Sequence, residues 1–201
     1  MIRLRPAFLF GLACCVIPLP AYEQDEAGDT VLVAEGDGSG NSGRVAINIV
    51  AGDGNQQAGS AVIATGDIAV LGHSLHQDMQ DVTPGDDRAT QIAIGAGAFS
   101  NNDGMLSLNI TAGRHNQSAN LASLTVSGAG MLSDQTLAQT RAPSAPAASS
   151  VLAAPSGNDA IAIDDAAFAG NSGLVQMNVV GGERNSSANT FALSFSAGGE
   201  Q

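Results

Sequence analysis

The amino-acid sequence predicts an all-β fold: a three-layer β-solenoid or cross-β stack made of three imperfect repeats joined by two irregular linkers. Three observations carry this expectation. One residue pattern recurs three times without gaps, each copy alternates apolar and polar residues at period two, and the composition has too little bulk for a deep globular core.

The copies span residues 31–65, 92–126 and 161–195, at successive offsets of 61 and 69 residues. Six positions keep their residue in all three copies: Asn41/Asn102/Asn171, Gly43/Gly104/Gly173, Asn48/Asn109/Asn178, Gly52/Gly113/Gly182, Asn55/Asn116/Asn185 and Ala58/Ala119/Ala188. Chance does not place G-x4-N-x3-G-x2-N-x2-A three times at fixed offsets. Each copy therefore reads as one structural unit: strand, turn, strand, turn, strand.

The middle strand has the clearest alternation. Val45, Ile47 and Ile49 share one face, matched by Leu106, Leu108 and Ile110 and by Val175, Met177 and Val179, while Asn48, Asn109 and Asn178 fall on the other. A shorter strand precedes it, with Val31 and Val33 matched by Ile92 and Ile94 and by Ile161 and Ile163. A third strand follows the Gly-x-x-Asn turn, with Ala61, Ile63 and Thr65 matched by Ala122, Leu124 and Val126 and by Phe191, Leu193 and Phe195. The conserved Gly and Asn mark corners, because both tolerate positive φ and so reverse the chain cheaply. Gly52, Gly113 and Gly182 are expected at the corner after the middle strand, and Gly43, Gly104 and Gly173 at the corner before it.

If copies stack in register, equivalent side chains lie about 4.7–4.8 Å apart. Amide side chains gain most from that spacing, since each can donate to one neighbour and accept from the other. The expected ladder and corner residues are those named above together with Gln56, Gln117, Asn120 and Asn189, and the aliphatic residues of the middle strand form the apolar columns. Charges vary where amides recur: Asp53 aligns with Arg114 and Glu183, and Gly54 with His115 and Arg184. That variation avoids an uninterrupted column of like charge.

Composition agrees. The chain has no tryptophan, one tyrosine (Tyr22) and six phenylalanines, so only a thin core can be filled. Residues 1–21 have the order of a secretory signal: Arg3 and Arg5, an apolar run from Ala7 to Leu19, then Ala21 as a small-residue cleavage point. Both cysteines, Cys14 and Cys15, lie inside it, so the expected mature chain lacks thiol chemistry, and the match to a lipidation signal at Cys14 is weak. An acidic segment, 22–30, follows. Without the signal the chain carries five basic and nineteen acidic residues, a net charge of −14, and no lysine. Such a balance disfavours nucleic acid and anionic lipid as partners, and no further apolar stretch is long enough to insert in a membrane.

The spacers, 66–91 and 127–160, read as linkers that loop out between layers; the second, with RAPSAPAASS, reads as disordered. His73, His76 and Asp78 in the first have a faint metal-ligand flavour but lack a third strong ligand. GDGSGNSG and GDGN do not recur at the nine-residue period of calcium-binding β-rolls. No nucleophile elbow, phosphate loop or dinucleotide fingerprint is present, so the sequence gives no reason to expect an enzyme or a cofactor. The tail, 196–201, adds no polar or helical cap to the third copy, which leaves an edge able to template another chain. A closed, monomeric solenoid acting as a surface adhesin or binding module is the alternative.

The strings INIVAGDGNQQA, LNITAGRHNQSAN and MNVVGGERNSSAN resemble the imperfect repeat of the Fap-type functional amyloid fibril subunits of Pseudomonas-like bacteria. The resemblance implies an amyloid core of three repeats and two linkers in secreted, extracellular biofilm fibrils. It also implies partners: the chain itself, a homologous fibril subunit, an outer-membrane export pore and a periplasmic chaperone. Departures bear on subunit type. Ser186 stands where the other copies have Gln56 and Gln117, Gly59 where they have Asn120 and Asn189, and no cysteine pair lies near the C-terminus. The short linkers are more similar to a minor, nucleator-like subunit than to a major one.

Overall fold

The computed structural model describes residues 28–79, 88–141 and 159–196; the expected signal segment and the centre of the second linker lie outside them. Nine strands follow in order: β1 (Asp29–Val33), β2 (Ser42–Ala51), β3 (Gln56–Met79), β4 (Thr90–Ile94), β5 (Asp103–Arg114), β6 (Gln117–Arg141), β7 (Ala160–Ile163), β8 (Ser172–Glu183) and β9 (Ser186–Ser196). They form three parallel three-stranded sheets, β1-β4-β7, β2-β5-β8 and β3-β6-β9, each taking one strand from every repeat. The fold is thus the expected all-β stack of three layers.

The register is the repeat alignment itself. Asn48 pairs with Asn109 and Asn109 with Asn178; Gly43 pairs with Gly104 and Gly104 with Gly173; Ala58 pairs with Ala119 and Ala119 with Ala188. Within a layer the chain is serpentine rather than helical. Asp29 lies at Gly52 and Gly38 at Ile47, so β1 runs opposite to β2; Gln57 reaches Ile49 and Arg44 reaches Gly59, so β3 runs opposite to β2. Strand hydrogen bonds therefore run between layers, and side chains fill the space within each layer.

The third strand runs beyond the expected ends of the first two repeats. A 24-residue strand would be about 80 Å long if straight, yet Gln56 Nε2 donates to the Asp78 carbonyl at 2.7 Å and His73 Nε2 lies 2.8 Å from Ser60 Oγ. The chain bends back at the register shift between Gly66 and Ile68, so residues 68–79 form a fourth arm, paired with 130–141 of the next layer. Burial alternates along this arm: Leu71, His73, Gln77 and Met79 are buried, and Gly72, Ser74, His76 and Asp78 are exposed. The first half of each expected linker is thus strand, because burial on one face stabilises it.

The apolar core lies between the first two sheets. Val31, Val33, Ile92 and Ile94 pack against Leu106, Leu108 and Ile110, and Phe99 occupies the space over Gly38 and stacks on Phe168 at 5.6 Å between ring centroids. The sheets are staggered. β1 packs against both β2 and β5, and β4 against both β5 and β8, so these two strands of the first sheet each sit between two strands of the second.

Candidate functional site

The columns of identical residues are the candidate site, and they form two kinds of ladder. In the second sheet Asn109 Nδ2 donates to Asn48 Oδ1 at 2.8 Å, and Asn178 Nδ2 donates to Asn109 Oδ1 at 2.9 Å. The same amides also cross to the third sheet. Asn109 Nδ2 donates to the Ala58 carbonyl and Asn178 Nδ2 to the Ala119 carbonyl, at 2.9 and 3.0 Å. From the other side, Asn120 Nδ2 donates to Asn109 Oδ1 at 3.1 Å and Asn189 Nδ2 to Asn178 Oδ1 at 3.1 Å. The polar face of the middle strand is therefore a buried amide network tying two sheets together. Every amide proton so used offsets a desolvation cost that an unpaired buried amide would carry.

The sequence pattern placed these asparagines in columns, but only the fold shows the bonds across sheets. The network is thinner in the first layer. Gly59 has no amide, so the Asn120–Asn189 column, joined by a 2.9 Å bond, starts one layer later.

Corner asparagines after the middle strand work through the backbone. Asn116 N donates to Asn55 Oδ1 at 2.9 Å and Asn185 N to Asn116 Oδ1 at 2.8 Å, while Nδ2 of Asn55 and of Asn116 donates to the carbonyls of Gly113 and Gly182, both at 2.8 Å. Asn185 Nδ2 turns to its own Gly181 carbonyl at 2.9 Å. Gly52 and Gly113 have φ of 96° and 118°, and a Cβ on either would overlap the carbonyl of Gly113 or Gly182 in the next layer, which only glycine permits. Gln117 Nε2 donates to Gln56 Oε1 at 3.1 Å and to the Thr140 carbonyl at 3.0 Å; Ser186 instead bonds Gln139 Oε1 at 2.8 Å.

The corner before the middle strand differs from expectation. Gly43, Gly104 and Gly173 are not the bend itself but the second residues of β2, β5 and β8, exposed and already in the ladder. Gly173 is therefore corrected from a corner to a strand residue: its φ of 105° kinks the exposed start of β8, and a Cβ there would overlap the Gly104 carbonyl. The bend lies just upstream, where the asparagine amides close it. Asn41, Asn102 and Asn171 donate from Nδ2 to the carbonyls of Gly38, Phe99 and Phe168, each three residues back, at 2.9, 2.7 and 2.9 Å.

Three features had no sequence signal. Arg88 lies 3.2 Å from Asp29 and 3.0 Å from Asp53, with Arg114 3.8 Å from Asp53, so basic groups hold the acidic residues at the corner beside Gly52. Burial raises the Asp29 carboxyl pKa above the ordinary range, against the opposing pull of Arg88. Thr90 Oγ1 links Asp159 Oδ1, at 2.6 Å, to the Gly182 amide, at 3.1 Å, joining the first and second sheets. These contacts lie 69 and 92 residues apart in sequence, beyond any local pattern. The strand geometry also separates His73 from His76: the first faces in, the second is exposed on the opposite face beside Asp78. Among the described residues no three His, Cys, Asp or Glu side chains converge as a metal site.

An apolar groove opens between the second and third sheets and crosses all three layers, lined on one side by Met105 and Leu174 and on the other by Ile63, Leu124 and Leu193. Exposed apolar residues lie at both ends: Leu32 is 74 % and Ile63 60 % exposed in the first layer, and Ile161 is 49 %, Val175 41 % and Phe195 52 % in the third.

Parallel, in-register layers, amide ladders and apolar columns define a class of protein: a cross-β stack of the amyloid type. The chain belongs to the functional amyloid protein FapB/FapC family, whose model matches residues 20–196. No solved structure matches it.

Proposed function

We propose that this protein is a secreted structural subunit that stacks with copies of itself into extracellular fibrils of the biofilm matrix. One observation carries the reading. Among the described residues the outer edges of β2 and β8 have no strand beside them, and the register that joins repeat 1 to repeat 2 and repeat 2 to repeat 3 can continue unchanged into another chain. The ladder residues are then assembly residues: Asn48, Asn109 and Asn178, with Gly52, Asn55 and their equivalents, repeat along the fibre as they do within the chain. Membership of a functional amyloid family supports the same role.

The short linkers support a minor, nucleating subunit beside a homologous partner. An outer-membrane pore and a periplasmic chaperone are the export partners this role requires. The test is incubation of the mature chain, with seeding, followed by thioflavin fluorescence and fibre diffraction. A meridional reflection at about 4.7 Å is expected; a chain that stays monomeric without that reflection is instead a solenoid binding module.

A further inference from the structure

The two ends of the stack differ, and the difference has a polarity. At the repeat-1 end the polar face of β2 is open: Asn48 is exposed and Val50 is 52 % exposed, while Val45, Ile47 and Ile49 are half-buried. At the repeat-3 end Asn178 and Gln176 are buried, at 4 % and 5 %, and the aliphatic side is open instead. Val31 and Val33 of β1 are each 4 % exposed because two strands of the second sheet cover them, whereas Ile161 of β7, which lies beside Gly181 of β8, and Ile163 are 49 % and 41 % exposed.

A second copy of this chain fits that end. With its β2 placed on β8 in the internal register, Val45 and Ile47 meet Val175 and Met177, and Ile161 and Ile163 close over them as Val31 and Val33 close over β5. Its Asn48 Nδ2 reaches Asn178 Oδ1 and the Ala188 carbonyl, repeating the bonds of Asn109 to Asn48 and Ala58. The Gly52 carbonyl of that copy offers Asn185 Nδ2 the partner that Gly113 and Gly182 offer Asn55 and Asn116. Growth is then head to tail, repeat 3 onto repeat 1.

Charge breaks the continuity. Inside the chain, Asp29 pairs with Thr90 and Thr90 with Asp159, whose carboxylate Thr90 Oγ1 caps; Arg114 pairs with Glu183 and lies 3.8 Å from Asp53; and Ala96 separates Glu35 from Asp165. Continued into a second copy, the same register sets Asp159 on Asp29, Glu183 on Asp53 and Asp165 on Glu35. We propose that this seam is an acid-gated contact, in which three stacked carboxylate pairs hold chain ends apart until protonation removes their repulsion. The inference rests on the stacked-fibre reading above.

Basic groups weaken the repulsion at the corner without outnumbering its acids: Arg88 and Arg114 pair with Asp29 and Asp53, Arg184 flanks Glu183 and His115 lies against Gly54, so three guanidinium groups face the four carboxylates of Asp29, Asp53, Asp159 and Glu183. Among the described residues the charged neighbours of Glu35 and Asp165 in the loops are further carboxylates: Asp37, which accepts the Ala34 amide, and Asp164, which accepts the Ala166 amide. Burial already biases the Asp29 carboxyl toward its protonated form. Stacked like charges are destabilising, and protonation removes the charge, so growth should quicken as pH falls.

Seeded elongation of the full mature chain, followed between pH 7 and 4, tests the seam. Two double variants remove the same number of charges: Asp165→Asn with Glu183→Gln in the seam pairs, and Asp67→Asn with Asp103→Asn outside those three pairs, where Asp103 is flanked by Ser42 and Ser172. The expected result is growth at pH 7 at least about threefold faster for the seam pair than for the control pair, with a flattened acid response in the seam pair only. Glu183→Arg, which would face Asp53, should weaken the acid acceleration, the two other carboxylate pairs being left in place. Equal shifts in both double variants, or a wild-type rate independent of pH, overturn the gate while leaving fibres intact. Absence of a cross-β reflection in every variant at every pH overturns the fibre reading itself.

Discussion

The middle layer and the two outer layers contain the same columns and live in different environments. Leu106, Leu108 and Ile110 are 2 %, 0 % and 0 % exposed, whereas their equivalents Val175 and Met177 are 41 % and 37 % exposed. Asn109 is fully buried, and its oxygen and nitrogen bond in both directions along the column and across to the third sheet; Asn48 accepts from it and is otherwise open. The columns are apolar or Asn in every copy, so position in the stack sets this difference. One copy alone cannot bury either of its edges, and three copies bury one layer completely.

The largest effect should come from placing a charge in the two environments. Asn109→Asp buries a carboxylate against Asn48 Oδ1 and the Ala58 carbonyl, all acceptors, and should cost about 3–5 kcal/mol in the free chain. Asn48→Asp in the exposed layer should cost within about 0.5 kcal/mol there. Denaturant midpoints of the two variants measure the gap. In fibres the gap should vanish, because Asn48 would then be as enclosed as Asn109.

A smaller contrast is apolar. Leu108→Ala opens a cavity in a fully buried column and should cost about 2–5 kcal/mol, against about 1 kcal/mol or less for Met177→Ala, whose side chain already meets solvent. Similar losses would mean that the outer layers are covered in the free chain, contrary to the comparison.

The smallest expected effect concerns pH. The Asp29 carboxyl is shifted upward by burial, so its penalty is fully present above the raised pKa and is lost as pH falls toward the ordinary aspartate value near 3.9. Asp29→Asn should therefore raise the unfolding midpoint at neutral pH and leave it unchanged at low pH. A lower neutral midpoint would show that the Arg88 contact outweighs desolvation.

Much of the layer architecture was legible in the residues. Gap-free offsets place Asn48, Asn109 and Asn178 in one column, and period two separates that column from the aliphatic face; both follow from local strand geometry. Other parts were less visible. Gly173 and its equivalents carry the positive φ that a corner would need, yet that φ serves a kink within the strand, and residue type alone does not separate the two. In the fold-back arm Leu71, His73 and Gln77 mix apolar and polar residues on one buried face, so hydrophobic alternation alone reads them as linker. Their burial depends on Ser60 and Ser118, which the Gly66 bend brings opposite them.

By itself the sequence determined the number of layers, the register between them and the corner after the middle strand, because identical columns at constant offsets admit one in-register alignment. Tertiary structure decided the rest: the serpentine path, the place of the other corner, the stagger between sheets, the amide bonds from the second sheet to the third, and the two unlike ends. Those depend on which faces meet across a layer. Period-two patterning says that a strand has two faces, and only packing assigns each face its neighbour.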